Sequence, residues 1–66
     1  MKLMINGETF DFEEGNNVDQ LLEQLKLTPQ QVIVELNRNI LKAEVFSATF
    51  LTEGDELEVV QFVGGG

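Results

Sequence analysis

The chain has 66 residues, with 12 acidic and four basic side chains, and its formal net charge is −8 at neutral pH. This length suits one domain with a small core and leaves little material for a deep catalytic pocket. Because cysteine, histidine, tryptophan and tyrosine are absent, the sequence excludes thiol nucleophiles, imidazole bases, soft metal ligands and disulfides. The acidic balance disfavours nucleic acid and anionic membranes, and favours a protein partner with a basic face.

Nothing in the sequence predicts export or membrane insertion. Residues 1–6 form too short an apolar run for a signal peptide, and no stretch is long and apolar enough to span a bilayer. Without cysteines there is also no disulfide framework of the kind that secreted small domains use. We therefore expect a soluble, cytoplasmic protein.

The first predicted element is a β-hairpin. Residues 2–5 and 8–12 flank Asn6-Gly7, which is the strongest short-range signal for a two-residue hairpin turn. Side chains alternate across a strand, so this turn places five apolar residues on one face. We expect that face to belong to the core; its members are Met1, Leu3, Ile5, Phe10 and Phe12.

A helix is predicted next. Asn17 suits the N-cap, and Gln20 stands at the capping-box position three residues later. Lys26 is expected in the last turn, where the helix dipole favours a cation. Pro29 prevents the helix from continuing and is expected to open a short extra turn. One helical stripe is apolar and consists of Val18, Leu21, Leu22 and Leu25.

The second half of the chain is predicted to supply three more strands. Residues 32–36 form a β-branched run that ends at the polar turn 37–39, and a short strand is expected at 40–41. Residues 42–51 fit no clean period. The last strand is predicted over 56–63.

The order hairpin, helix, strand, short strand, strand is typical of an α+β fold of the ubiquitin-like β-grasp type. In that plan a mixed sheet carries one main helix packed on one face, and the first and last strands lie side by side in mid-sheet and run parallel. The other face of the sheet meets solvent. We expect residues 1–63 to form this domain and residues 64–66 to form a flexible glycine tail.

The uncovered face is the candidate partner-binding surface. Glu56 and Glu58 belong in water, so Val60 and Phe62, which lie two and four residues after Glu58, share the solvent side of the last strand. We expect four apolar side chains there: Met4, Ile33, Val60 and Phe62. Glu35 and Glu58 would form an acidic rim around this apolar centre, a pattern that marks protein-binding surfaces. One alternative is a bulge that turns Phe62 inward, and another is that these exposed apolar residues are scattered and have no binding role.

The chain ends in Gly64-Gly65-Gly66. Three glycines without side chains can pass through a narrow channel, so Gly64 and Gly65 are candidate threading residues. The carboxylate of Gly66 is then the candidate reactive group, carried into the active site of another protein. An inert, frayed terminus is the alternative interpretation.

These features together resemble the ThiS family, the sulfur carriers of thiamine thiazole biosynthesis, over essentially the whole chain. One departure is Phe46, in a region where ThiS proteins often carry tryptophan or tyrosine. The resemblance rests on the opening residues Met1, Ile5, Asn6 and Gly7, on Leu21-Leu22, on residues 32–37, on residues 55–60 and on the ending Phe62-Val63-Gly64-Gly65-Gly66.

The resemblance implies a carrier that is not itself an enzyme. The Gly66 carboxylate would be adenylated, converted to a thiocarboxylate and used to donate sulfur. No cofactor would be bound by this chain, because ATP and magnesium would serve a ThiF-like adenylating enzyme. The other implied partners are a ThiG-like thiazole synthase and a sulfurtransferase or cysteine desulfurase as sulfur source.

Two alternatives remain open at the level of sequence. The same tail and fold would serve a sulfur carrier for molybdopterin or for another pathway. A non-catalytic ubiquitin-like interaction module would have the same fold but an inert tail, and the loss of Gly66 would leave its binding unchanged.

Overall fold

The computed structural model describes residues 1–62, which fold into five strands and one α-helix. The predicted end of the last strand at Val63 and the predicted tail, Gly64 to Gly66, lie outside the described residues. The elements are β1 (Lys2–Ile5), β2 (Glu8–Asp11), α1 (Val18–Gln24), β3 (Val32–Leu36), β4 (Asn39–Leu41) and β5 (Glu56–Gln61).

The five strands form one mixed sheet in the order β2-β1-β5-β3-β4. β1 and β5 pair in parallel, with Met4 opposite Glu56 and Ile5 opposite Leu57. β5 also pairs antiparallel with β3. The predicted plan is therefore confirmed: the first and last strands are parallel neighbours, and the strand that leads to the end of the chain lies in mid-sheet.

The Asn6-Gly7 turn joins β1 to β2 and places Leu3 opposite Phe10, on one face of the hairpin as predicted. Both turn residues have a positive φ, 52° for Asn6 and 84° for Gly7, as a two-residue hairpin turn requires. The prediction that Phe10 belongs to the core was wrong. Phe10 is 38% exposed, because β2 is an edge strand, and its ring lies 6.3 Å from that of Phe12 at a tilted angle.

α1 begins with the predicted capping box. The Gln20 backbone N–H donates to Asn17 Oδ1 over 2.8 Å, and the Asn17 backbone N–H donates to Gln20 Oε1 over 2.8 Å. The placement of Lys26 in the last turn was wrong, because the helix ends at Gln24 and Lys26 has a φ of 62°. The predicted extra turn is present as a 3₁₀ helix over Pro29–Gln31.

The segment without a clear period contains a 3₁₀ helix at Ala43–Ala48. Its Phe46 side chain is buried. The backbone on either side is tied to the start of α1, since Val18 N donates to Thr49 O over 3.0 Å and Leu51 N donates to Asn16 O over 2.9 Å. Phe46 is therefore a core residue beside the helix.

The core lies between α1, the 3₁₀ segment and one face of the sheet. Its buried side chains are all aliphatic apart from one phenylalanine, which suits the close packing of a small interior. They are Leu3, Ile5, Val18, Leu21, Leu22, Val32, Val34, Phe46, Leu51, Leu57 and Val59. Within residues 1–62, no helix has the length and apolar character needed to cross a membrane.

Candidate functional site

The solvent-facing side of the sheet, called here the outer face, follows from strand alternation. Along β5 the inward residues Leu57 and Val59 are buried, while Glu56, Glu58 and Val60 are exposed. The antiparallel register places Ile33 of β3 directly opposite Val60. Because cross-strand partners project from the same face of a sheet, Ile33 and Val60 form one apolar contact on the outer face.

The four apolar residues predicted for the outer face are all exposed there. Val60 is 57% exposed and Phe62 is 55% exposed, and no inward bulge of Phe62 occurs. Its backbone N–H donates to Gln31 O over 3.0 Å, which continues the β5–β3 pairing past the last strand residue. We call the set Met4, Ile33, Val60 and Phe62 the outer patch. Within it Met4 lies apart from the other three, because it is opposite Glu56 at the start of β5.

The outer face has a fifth apolar residue that sequence reasoning missed. Ile40 is directly opposite Glu35 in the β3–β4 pair and is 70% exposed. Alternation along β4 assigns Ile40 to the outer face, because the next residue, Leu41, is partly buried against the core. A strand of only three residues gives too little pattern to assign its faces from sequence.

Acidic side chains border the outer patch. Glu35 and Glu58 are directly opposite each other on β3 and β5, and Glu56 is opposite Met4. Like charges directly opposite each other on a sheet are destabilising, so folding alone does not favour this arrangement. In residues 1–62, no three acidic side chains are grouped so as to hold a metal ion, and the carboxylates act as surface charges.

A depression of about 220 Å³ adjoins the outer patch and is lined by Lys2, Leu3, Met4, Thr9, Gly54 and Glu56. Pockets that enclose small ligands usually measure about 300–1,000 Å³. Its lining offers one ammonium group and one carboxylate. The depression is thus smaller than a typical small-molecule pocket.

Two asparagines from different turns hold β5 along its length. Asn6 donates its backbone N–H to Leu57 O over 2.9 Å, and Asn37 donates its own to Glu56 O over 2.8 Å. The side-chain oxygen of Asn6 accepts from Val59 N over 2.8 Å, and that of Asn37 accepts from Glu56 N over 3.0 Å. The position of the strand that precedes the glycine tail is thus fixed from both neighbouring hairpins.

The fold and this surface define a small ubiquitin-like β-grasp domain, with one helix on the inner face and an apolar patch on the open outer face. The partner-binding assignments remain predictions, as do the roles of Gly64, Gly65 and Gly66, which lie beyond the described part of the chain. The ThiS family model matches residues 3–66, and the chain belongs to the ThiS family.

Similar proteins agree with this assignment. The crystal structure of a thiamine biosynthesis protein (ThiS) from Geobacter metallireducens superposes with a TM-score of 0.86 at 40% identity, and the match covers 100% of both chains. The sulfur carrier protein ThiS of Bacillus subtilis is 34% identical over 65 residues, which are 97% of this chain and 98% of that protein.

A second group of relatives is much longer. A thiazole synthase of Magnetococcus marinus is 39% identical over 66 residues, and the match covers 100% of this chain but 20% of that protein. A thiazole synthase of Paramagnetospirillum magneticum gives the same identity and coverage. The chain therefore spans about a fifth of the length of the thiazole synthases that it matches.

Proposed function

We propose that the chain is a sulfur carrier for thiamine biosynthesis, and that it acts as a co-substrate of other enzymes. The observation that supports this most directly is membership of the ThiS family over residues 3–66, a range that includes the glycine ending. The composition agrees, since a chain without cysteine or histidine lacks the usual thiol nucleophile and imidazole base.

The proposed reacting group is the terminal carboxylate of Gly66. Such a group has a reference pKa of about 3.3–3.7, so at neutral pH it is an anion and a poor electrophile. Attack of this carboxylate on the α-phosphorus of ATP would release pyrophosphate and form an acyl adenylate. Displacement of AMP by a persulfide sulfur, followed by thiol reduction of the resulting disulfide, would leave a thiocarboxylate on Gly66.

This chemistry assigns the catalytic groups to partner proteins. ATP and magnesium would be used by a ThiF-like adenylating enzyme, and a sulfurtransferase or cysteine desulfurase would supply the sulfur. A ThiG-like thiazole synthase is the proposed acceptor. The long relatives support this choice, because a segment similar to this chain forms part of proteins named thiazole synthase.

The outer patch is the proposed docking surface for these enzymes. It consists of exposed apolar side chains on the sheet face that α1 leaves uncovered, and Ile33 and Val60 are directly opposite each other there. Neighbouring exposed apolar side chains of this kind usually mark a binding site. Val60 and Phe62 lie at the end of β5 that leads to the tail, so docking there would bring Gly66 towards the partner's active site. Glu58 and Glu35 would meet basic residues at the rim and speed association.

The test is intact-mass spectrometry after incubation with ATP, magnesium, a ThiF-like enzyme and a persulfide donor. The expected product is a chain in which one oxygen is replaced by sulfur. Two variants serve as controls, one lacking Gly66 and one extended by a single residue after Gly66, and neither should gain sulfur. An extended chain that acquires sulfur without being trimmed would overturn the role of the terminal carboxylate.

A further inference from the structure

The side chain of Asn6 continues the pairing of β1 with β5 after β1 has ended. Its Nδ2 donates to Val59 O over 3.1 Å, and its Oδ1 accepts from Val59 N over 2.8 Å. If the parallel ladder continued, the backbone of two different β1 residues would make these two bonds, whereas here one carboxamide makes both. We propose that Asn6 is a positioning residue for the carrier reaction, because its carboxamide fixes the path of β5 towards the tail.

The reason lies in the unequal lengths of the two strands. β1 ends at Ile5 and turns away, whereas β5 continues from Leu57 to Gln61. Beyond Leu57, β3 pairs with β5 on one side as far as Phe62 N, which bonds to Gln31 O. On the other side the carboxamide of Asn6 holds Val59. Its removal would leave residues 58–61 of β5 supported from one side only.

The position matters because three functional features follow Val59 within a few residues. Val60 and Phe62 belong to the outer patch, and the glycine tail comes next. If β5 is held at Val59, docking of the patch also sets the point from which the tail starts. Misplacement of a reacting group by about 1 Å can cost roughly 100-fold in rate.

The residue type is specific to this combination of roles. Asn6 has a φ of 52°, a conformation that asparagine and glycine tolerate and most other residues do not. Glycine would satisfy the turn but has no side chain. Aspartate would accept from Val59 N, but an ionised carboxylate has no donor for Val59 O. Asparagine alone satisfies both the turn and the two bonds.

Asn37 provides a matched control. Its φ is 50°, it also ends a strand next to β5, and its Oδ1 also accepts from a β5 backbone N–H, at Glu56. Glu56 lies at the opposite end of β5 from the tail. Asn6→Gly and Asn37→Gly therefore remove the same kind of side chain from the same backbone conformation, and differ in which end of β5 loses its support.

The proposal rests on the carrier function. Two measurements distinguish a failure of the Asn6 proposal from a failure of the carrier function. The first is amide hydrogen exchange of the isolated protein at Val59 to Phe62. We expect Asn6→Gly to speed exchange there by about tenfold or more, because Val59 N loses its acceptor, whereas Asn37→Gly should leave these amides within about twofold of the parent protein. Equal exchange in both variants overturns the proposal, whatever the carrier function proves to be.

The second measurement is the rate of thiocarboxylate formation with a ThiF-like enzyme. Asn6→Gly should lower kcat by roughly tenfold while KM changes by less than about threefold, because the side chains of the outer patch are still present. Asn37→Gly should retain the parent kcat even if its Tm falls as far as that of Asn6→Gly. Equal kcat values at matched Tm would reduce Asn6 to a structural role. A parent protein that gains no sulfur would instead overturn the carrier function.

If Asn6→Gly does not fold, Asn6→Asp answers the same question. It keeps the oxygen that accepts from Val59 N and loses the donor to Val59 O. We expect faster exchange at Val60 and Phe62 and a lower kcat than in the parent protein. Parent-like exchange and kcat in Asn6→Asp would show that the bond to Val59 O has no part in positioning, and would overturn the proposal.

Discussion

Glu35 and Glu58 are directly opposite each other on β3 and β5, on the face of the sheet that α1 leaves open. Two like charges in this relation oppose folding. In the proposed function they would meet basic residues of a partner, so the arrangement gives up some stability for faster and more selective association.

Glu58→Gln tests this relationship. Removing one of the two facing charges should raise the free energy of unfolding by roughly 0.2–1 kcal/mol. It should also slow association with the adenylating enzyme by roughly twofold at low salt, and the difference should disappear at high salt. Urea unfolding and stopped-flow association at two ionic strengths measure both effects.

The control for Glu58→Gln is Glu23→Gln, which makes the same charge change at an exposed position on α1, on the other side of the sheet. It should alter the association rate less. If both variants slow association equally, the effect comes from net charge and not from the outer face.

Phe62→Ala tests the apolar centre of the docking surface. Burying a large apolar side chain contributes about 1.5–3 kcal/mol, whereas an exposed ion pair usually contributes under about 1 kcal/mol. The Kd for the adenylating enzyme should therefore rise by roughly tenfold or more. Because Phe62 is exposed in the free protein, the Tm of the variant should barely differ from that of the parent protein.

Phe50→Ala is the matched control for Phe62→Ala. Phe50 is similarly exposed, but it pairs with Asn17 at the start of α1, away from the outer face. Calorimetric titration of both variants measures Kd for the adenylating enzyme, and a thermal melt measures Tm. A Phe50→Ala loss of affinity equal to that of Phe62→Ala would place the docking surface elsewhere.

Gly65→Val tests the width of the channel that the tail is proposed to enter. A β-branched side chain adds bulk and restricts φ, so adenylation should fall sharply. Gly65→Ala adds a single methyl group and should have a smaller effect. Every described core residue lies at or before Val59, and the Tm should stay unchanged. Pyrophosphate release at the parent rate in both variants would disprove the narrow channel.

Phe46→Ala tests the core. Phe46 is fully enclosed beside α1, and truncation of a buried phenylalanine costs about 3–5 kcal/mol. A domain of this size has a total stability of roughly 3–10 kcal/mol. The variant should therefore be close to unfolding in urea titrations, whereas Phe50→Ala should change stability by less than about 0.5 kcal/mol. A small effect of Phe46→Ala would contradict its place in the core.

The features that could be predicted from the sequence are those that depend on residues close together in the chain. The Asn6-Gly7 turn determined the hairpin register, Asn17 and Gln20 located the start of the helix, and the alternation of β5 placed Val60 and Phe62 on the open face. Each of these features has a short-range signal or a strong period. The order of the elements, which is typical of the β-grasp plan, predicted that the first and last strands are parallel neighbours.

One error and one omission depend on contacts between distant parts of the chain. Phe10 follows the pattern of a core residue, but its strand is at the edge of the sheet. The bond between Asn6 and Val59 joins residues 53 positions apart, and Asn-Gly in a sequence indicates only a turn. Lys26 was misplaced because helix ends are the least certain part of a pattern.

The mid-sheet place of β5 determines how the domain would bear a pull on its tail. A partner that draws the tail into its active site would apply tension along a strand flanked by β1 on one side and β3 on the other. Such a load acts along both ladders of hydrogen bonds, which resist it together, whereas an edge strand can be peeled away one bond at a time. Central strands of this kind open only when the whole domain does. The domain would therefore stay folded when a partner applies tension to the C-terminal tail.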